Sequence, residues 1–557
     1  MIVKLEDSWL NSLRALELES STVWRDRSAL DPPKLQEKMT DLGLLLSFYT
    51  TPEDARRAFR ALRRKGHRRI ALLHKNKRES VQVVDPSRRL ARSVSALSGL
   101  SLAVAALILS GRFLRQTTAG LPALLAPGLL GFAAGLGLGW WLSRRLWPGV
   151  DREVITEQAR WMASDESLVV LQSALESMRR AFSALREFGE AEPAIFVIHP
   201  ERAFLAPELE PMRVPLPMAQ LQSHAARLAG QHRVGSSNGA DESLLGDLDR
   251  ARLEIHTIAR DLSQAGNMDQ AMGPTAEWIL DNEYMVESHV RDVQVNLPRP
   301  FYRQLPGLLS EPGLGLPRIF GLSGELVFHT DGRLSAEVIL GFVEAYQRVS
   351  TLTIGELWAL PLMLRIALVQ RVRQIAIHSS RELREHQAAN FWANRLLVTA
   401  RREPGQLFAR LAELAEDQPS PSPFFGTQLA SQLYDEEAVL APIQSWLERA
   451  HRRPVSETNL REQNRQAAEQ VSIANLITSL RQLAMLDWRE AFEKLSKVES
   501  ALNLDPRGVY SGMDFETRNS YRGVIEELAR RSGRQEVEVA RAAVELASRA
   551  PPSGGAG

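Results

Sequence analysis

The sequence predicts a mainly α membrane protein. Its expected plan is a ferredoxin-like α+β unit of two strand–helix–strand repeats, split by a two-helix transmembrane hairpin and followed by a cytoplasmic helical bundle or array. Three observations point there. Two apolar stretches without a charge, SVSALSGLSLAVAALILS at 93–110 and GLPALLAPGLLGFAAGLGLGWWLS at 120–143, lie close together. An octapeptide, RRAFRALR at 56–63, returns as RRAFSALR at 179–186. From Asp247 onward, apolar residues recur at helical spacing.

A membrane-crossing helix requires ~17–25 apolar residues, so the first stretch is short but sufficient and the second comfortable. Their connection, GRFLRQTTA, is too short to be a domain. Arg88, Arg89 and Arg92 precede the first, and Arg144 and Arg145 follow the second. This bias predicts a bacterial inner-membrane protein with membrane lipid as a partner and both termini in the cytoplasm. Trp140, Trp141 and Trp147 fit an interfacial aromatic belt. Gly131, Gly135 and Gly139 recur every fourth residue, as do Ser95, Gly99 and Ala103. Small residues at that interval let two helix backbones approach closely, so these faces are expected to pack together.

Around the apolar stretches the local signals repeat. Leu42–Thr50 is an apolar run of strand length. Thr51-Pro52-Glu53-Asp54 supplies an N-cap, a proline in the first turn and acids at the helix start. Gly66 stops the helix and a strand ends at His74. The second copy has a strand at Ser167–Gln172, the repeated octapeptide, Gly189, and a strand ending at His199. Internal duplication predicts one sheet with both halves in the same compartment. Strand-end histidines such as His74 and His199 are more often plain surface residues than a metal pair.

The expected domain order is an N-terminal helical segment at 1–40, the first half of the α+β unit at 41–90 and the hairpin at 91–146. The second half follows at 147–205, then a linker at 206–246, a helical domain at 247–549 and a tail at 550–557.

Composition narrows the chemistry. The 557 residues carry a formal net charge of +1, which argues against nucleic acid as a partner. With no cysteine there is no disulfide, thiolate metal site or cysteine nucleophile. The N-terminus, MIVKLEDSWLNSL, has no apolar run of the kind a cleavable signal needs. The sequence has no GxSxG, HExxH or phosphate loop. Asp247-Leu-Asp249 matches a DxD by letters only and starts a helix, and Gln158-Ala-Arg160-Trp161 falls one residue short of QxxRW.

The helical half carries several polar and aromatic clusters. GELWALPLMLR begins at Gly355, ITSLR leads through to Leu486-Asp487-Trp488, and DPRGVYSGMDFETRNSYR begins at Asp505. Over roughly Gly273 to Ala547 these stretches resemble the N-terminal cytoplasmic region of bacterial cyclic β-1,2-glucan synthases, without the transferase and phosphorylase-like domains. The resemblance implies a system that uses UDP-glucose and a divalent metal, with the transferase domain separate or missing and neither cofactor held by this chain.

No residue is assigned a catalytic, cofactor or metal role. Glu356, Trp358 and Arg365 form a candidate polar site, with Trp358 also readable as core and Glu356 and Arg365 as a pair or cap. Tyr510, Asp514 and Arg518 look like a specified helix–loop–helix joint, with Asp514 starting the second helix. The leading reading is a membrane-anchored N-terminal portion of a cyclic glucan synthase-like system without a transferase site of its own. The alternative is an independent membrane sensor or scaffold whose α+β unit binds a ligand. A third is an enzyme acting through the Glu356–Arg365 region.

Overall fold

A computed structural model describes residues 42–85 and 166–197 apart from 50, 77–79, 187 and 189–192, residues 215–235, residues 243–549 apart from 269, 271 and 310–312, and short pieces between 96 and 162. The chain forms two compact units. One is Leu30–Ala203 with Glu382–Glu462, and the other is Met1–Ala29, Phe204–Arg381 and Gln463–Gly557.

In chain order the elements begin with β1 (Leu42–Tyr49), α1 (Pro52–Arg64), β2 (Ile70–Lys75), β3 (Val81–Val84), β4 (Ser167–Ala174), α2 (Leu175–Arg186) and β5 (Ala194–Val197). There follow α3 (Met218–Gln231), β6 (Val234–Gly235), α4 (Ser243–Gly266), α5 (Pro274–Asn296), α6 (Arg299–Tyr302), β7 (Gly307–Leu308), α7 (Arg318–His329), α8 (Ala336–Gln347) and α9 (Ile354–Arg402). The chain continues with α10 (Leu407–Asp417), α11 (Pro423–Gln432), α12 (Glu437–His451), α13 (Val455–Met485), α14 (Trp488–Leu495), α15 (Lys497–Leu502), α16 (Phe515–Ser532) and α17 (Glu536–Arg549).

The sheet has the order β3-β2-β4-β1-β5, so the first strand of each repeat is central and the repeats interleave. β1 and β4 run antiparallel with Leu45 opposite Leu171. The repeated octapeptides do equivalent work: Ala58 and Leu62 of α1, and Ala181 and Leu185 of α2, are all buried. The N-cap expected at Thr51 is formed, and Gly66 sits at φ +89, a left-handed conformation that suits glycine. The period of two along β1 puts Leu44 and Leu46 on the opposite face from Leu45. That second face is covered by Trp392 and Leu396 of α9, Leu414 of α10, Phe425 and Leu429 of α11, and Ile443 and Leu447 of α12. A sheet buried on both faces explains why β1 is an unbroken apolar run rather than an alternating one.

The structure corrects the membrane reading. Among the described residues no helix is long and apolar enough to cross a membrane. The chain is mostly helical with a small sheet, but the transmembrane hairpin is not supported, nor is an inner-membrane location with two spanning helices resting on it. Lipid as a partner has no support either. A crossing needs ~17–25 apolar residues in one helix, and a charge-free composition does not by itself establish one. The described helical residues include the piece 100–107. Ala103 lies in that piece and is half-buried, whereas Ser95, Gly99, Gly131, Gly135, Gly139, Trp140, Trp141 and Trp147 lie outside the described residues. So do Gly189 and His199, while His74 meets Ser167 Oγ at 3.0 Å from its Nδ1.

The other unit is helical apart from the short β6–β7 pair. The stretch expected as a linker, 206–246, contains α3, which buries Leu221, His224, Ala225 and Leu228. α3 packs on α8, α4 on α5, and both α15 and α16 on α17. Helix starts follow local chemistry: Ser335, Asp487, Ser496 and Asp514 each accept a backbone N–H from the first turn of the following helix. The turn between α7 and α8 places Asp331 at φ 51 and Gly332 at φ 69.

Candidate functional site

The polar residues singled out from the sequence fall into three sets within the helical unit. Glu356 lies in the first turn of α9 with no exposed surface. Its Oε1 accepts from Arg318 Nε at 2.7 Å, and its Oε2 from Arg318 Nη2 at 2.5 Å and the backbone N–H of Thr353 at 2.9 Å. Arg318 also donates to Ser350 Oγ at 2.9 Å and to the Thr351 carbonyl at 3.1 Å. Burial works against the Arg318 charge, but the hydrogen bonds and charge of Glu356 outweigh it and raise its pKa. The neighbouring Tyr346 is pushed up to about 12, chiefly by burial.

Arg365 stands two turns along α9 and does not join Glu356. Its Nε is 3.2 Å from His289 Nδ1 and 3.3 Å from Asp292 Oδ2, and its Nη1 donates to the Pro361 carbonyl at 3.2 Å. Burial, and then the Arg365 charge, holds His289 down at about 4. A neutral His289 is therefore an acceptor for the guanidinium.

Tyr510 and Arg518 meet through Glu499 of α15, which sequence reasoning passed over, and Trp358 is linked to them through the Phe492 and Phe515 rings, over which Arg522 of α16 lies. Glu499 Oε2 accepts from Tyr510 Oη at 2.7 Å and Arg522 Nε at 2.8 Å, and Oε1 accepts from Arg518 Nη1 at 3.0 Å. The Arg522 guanidinium lies 5.2 Å from the Phe492 ring centre and 5.0 Å from that of Phe515. Trp358 stacks on Phe492 at 4.5 Å and meets Phe515 edge-on at 6.2 Å. Burial and the Glu499 carboxylate raise the Tyr510 pKa. Asp514 is outside this cluster. It caps α16, accepting from Thr517 N at 2.8 Å, and hydrogen bonds from Thr517 lower its pKa.

These carboxylates are saturated. Glu356 and Glu499 have both oxygens engaged by guanidinium and neighbouring donors, so neither is free to take a proton from a substrate or hold a metal against a diphosphate. The arrangement specifies how helices meet; buried ion pairs of this kind act more by selecting one packing than by adding net stability. A sequence signal for Glu499 existed in retrospect: it shares a helix face with Val498, Ala501 and Leu502, all buried. Asp249 accepts from exposed Gln294 and Asp247 pairs with Arg250 in the next turn, which is surface chemistry. Gln158, Arg160 and Trp161 lie outside the described residues.

The sheet-containing unit holds a small cavity of about 40 Å³ lined by Leu46, Phe48, Tyr49, Glu166, Phe391 and Arg395, among others. Arg395 is nearly buried, lies 4.6 Å from the Phe48 ring centre, and reaches Glu166 Oε2 with Nη2 at 3.3 Å. Its Nε and Nη1 have no hydrogen-bond partner among the described residues. Burial is the main cause that lowers its pKa to about 10.

Against known proteins, 301 residues, 53% of the chain, are 38% identical to the cyclic beta-(1,2)-glucan synthase NdvB of Rhizobium meliloti. This chain is related to part of a cyclic glucan synthase. The matched region spans only 10% of NdvB, a fraction of the length of that curated relative. No family model matches the chain. The glucan synthase relationship agrees with the resemblance in the GELWALPLMLR and DPRGVYSGMDFETRNSYR stretches, whose Glu356, Trp358, Tyr510, Arg518 and Arg522 build the buried networks.

Proposed function

We propose that this chain is a non-catalytic helical framework of a cyclic β-1,2-glucan synthase system, on which a UDP-glucose-dependent transferase domain lying outside residues 1–557 docks. The relationship to NdvB supplies the system. The observation that carries the framework role is the saturation of Glu356 and Glu499, which leaves these two carboxylates able to order helices but neither of them free to act as acid or base. The test is incubation of the purified chain with radiolabelled UDP-glucose and magnesium or manganese. No label should enter protein or glucan with this chain alone, and label should enter when a transferase segment of such a synthase is added. Incorporation by this chain alone would overturn the reading.

A second reading is favoured by one observation, the Arg395 cavity. A buried guanidinium with two unpartnered donors in so small a cavity suits a small anion such as formate. In this reading the α+β unit is a ligand sensor. Formate should raise the melting temperature of the wild-type chain, and Arg395→Met should abolish that rise. An equal rise in the variant would dismiss it.

A further inference from the structure

Three side chains of the helical unit, outside the networks above, bring ligand atoms together. Glu325 and His329 lie four residues apart on α7 and so share one face. His224 approaches them from α3. His224 Nε2 is 2.8 Å and His329 Nε2 3.3 Å from the same oxygen, Glu325 Oε2. All three ligand atoms lie within 4.8 Å of one another, and the two imidazole rings are 4.2 Å apart, edge to face. The side chains are only 8%, 18% and 15% exposed for His224, Glu325 and His329.

We propose that His224, Glu325 and His329 bind one divalent transition-metal ion of the zinc class, tying α3 to α7. Zinc takes nitrogen and oxygen ligands at ~2.0–2.2 Å in a tetrahedron, which places neighbouring ligand atoms roughly 3.3 Å apart. The observed 2.8 and 3.3 Å therefore need little adjustment. Two imidazoles and one carboxylate select a borderline-soft ion over magnesium or calcium, which prefer oxygen alone. Three protein ligands leave a fourth position for water.

Arg227 sets the terms of binding. Its Nη2 lies 2.7 Å from His224 Nδ1. Arginine only donates, so Nδ1 accepts, and the proton of neutral His224 then sits on Nε2, facing Glu325. A metal needs the Nε2 lone pair. Loading thus moves that proton to Nδ1 and turns the exposed Arg227 away. Arg227→Gln offers a carbonyl that accepts from Nδ1–H, the second-shell arrangement that metal-bound histidines favour.

The experiment titrates the full-length wild-type chain with Co(II), read by visible absorption and by metal content. One ion per chain is expected, with the intense bands of tetrahedral coordination, displaced by Zn(II). The chain has 11 histidines, so adventitious sites are checked by substitution. His224→Asn and His329→Asn should each remove the bands while far-ultraviolet circular dichroism is unchanged. Arg227→Gln should keep the bands and tighten binding at least ~10-fold. Wild-type protein without one-per-chain tetrahedral bands overturns the proposal. So do bands that persist in His224→Asn, or an Arg227→Gln affinity equal to or weaker than wild type. The wild-type and Arg227→Gln measurements decide the matter even where an asparagine variant fails to fold.

Discussion

Arg522 and Glu499 form an ion pair closed off from water: Arg522 Nε donates to Glu499 Oε2 at 2.8 Å, with side chains 0% and 2% exposed. The pair joins α15 to α16; Glu499 also engages Tyr510 and Arg518, and Arg522 lies over the Phe492 ring on which Trp358 stacks.

Breaking that pair from either end leaves a buried charge with only its outer partner, Arg518 for Glu499 and Glu493 for Arg522. Arg522→Met and Glu499→Gln should each lower unfolding free energy by about 3–5 kcal/mol in urea denaturation. The double variant should lose much less than the sum of the singles, because once one partner is gone the other is a liability. Additive losses would show that the two groups act independently.

Glu536 makes stability depend on pH. It accepts from Ile354 N at 2.8 Å, and its pKa is raised from 4.5 to about 7, first by burial and then by Glu526 and Glu356, with Arg530 opposing. A carboxyl whose folded pKa lies above its unfolded one binds its proton more tightly in the native state. Its contribution is intact below the unfolded value and is lost as pH rises toward about 7. The full penalty above that is on the order of 3 kcal/mol. Glu536→Gln, which keeps an acceptor for Ile354, should be more stable than wild type at about pH 8 and equal to it at about pH 4. A pH-independent difference between the two would contradict this.

The turn into α8 tests backbone fit. Gly332 has φ +69, and a Cβ there would lie 2.5 Å from Leu476 Cδ2. Its carbonyl accepts from Ser479 Oγ, while Asp331 accepts from Ser472 Oγ at 2.6 Å, so the turn is seated on α13. Gly332→Ala should cost about 2–4 kcal/mol, from left-handed strain plus overpacking, measured by chemical denaturation. A loss below ~1 kcal/mol would mean that α13 shifts to accommodate the methyl group.

Arg395 should behave in the opposite way to Arg522. Its Nε and Nη1 lack partners among the described residues, and Arg410 Nη2 still reaches Glu166 at 3.8 Å without it. Arg395→Met should therefore change stability by less than about 1 kcal/mol, since removing unsatisfied buried donors offsets the lost ion pair. A loss as large as that for Arg522 would assign Arg395 a packing role.

Features that depend on a few neighbouring residues were legible. The caps at Thr51 and Asp514 and the left-handed stop at Gly66 came from local residue types, because a cap is decided within one turn. The repeated octapeptide pointed to two like units, and they lie interleaved in one sheet. The charge-free stretches at 93–110 and 120–143 prompted the membrane reading, whereas among the described residues no helix is long and apolar enough to cross a membrane.

The sequence by itself determined where helices and strands start, which faces are apolar, and that part of the chain resembles a cyclic glucan synthase. Only the tertiary structure decided which charges meet. Arg318 and Glu356 are 38 positions apart, Glu499 and Arg522 are 23, and His224 and Glu325 are 101. Pairing across such distances leaves no local pattern, since it is set by how helices cross and by the need of a buried charge for a partner.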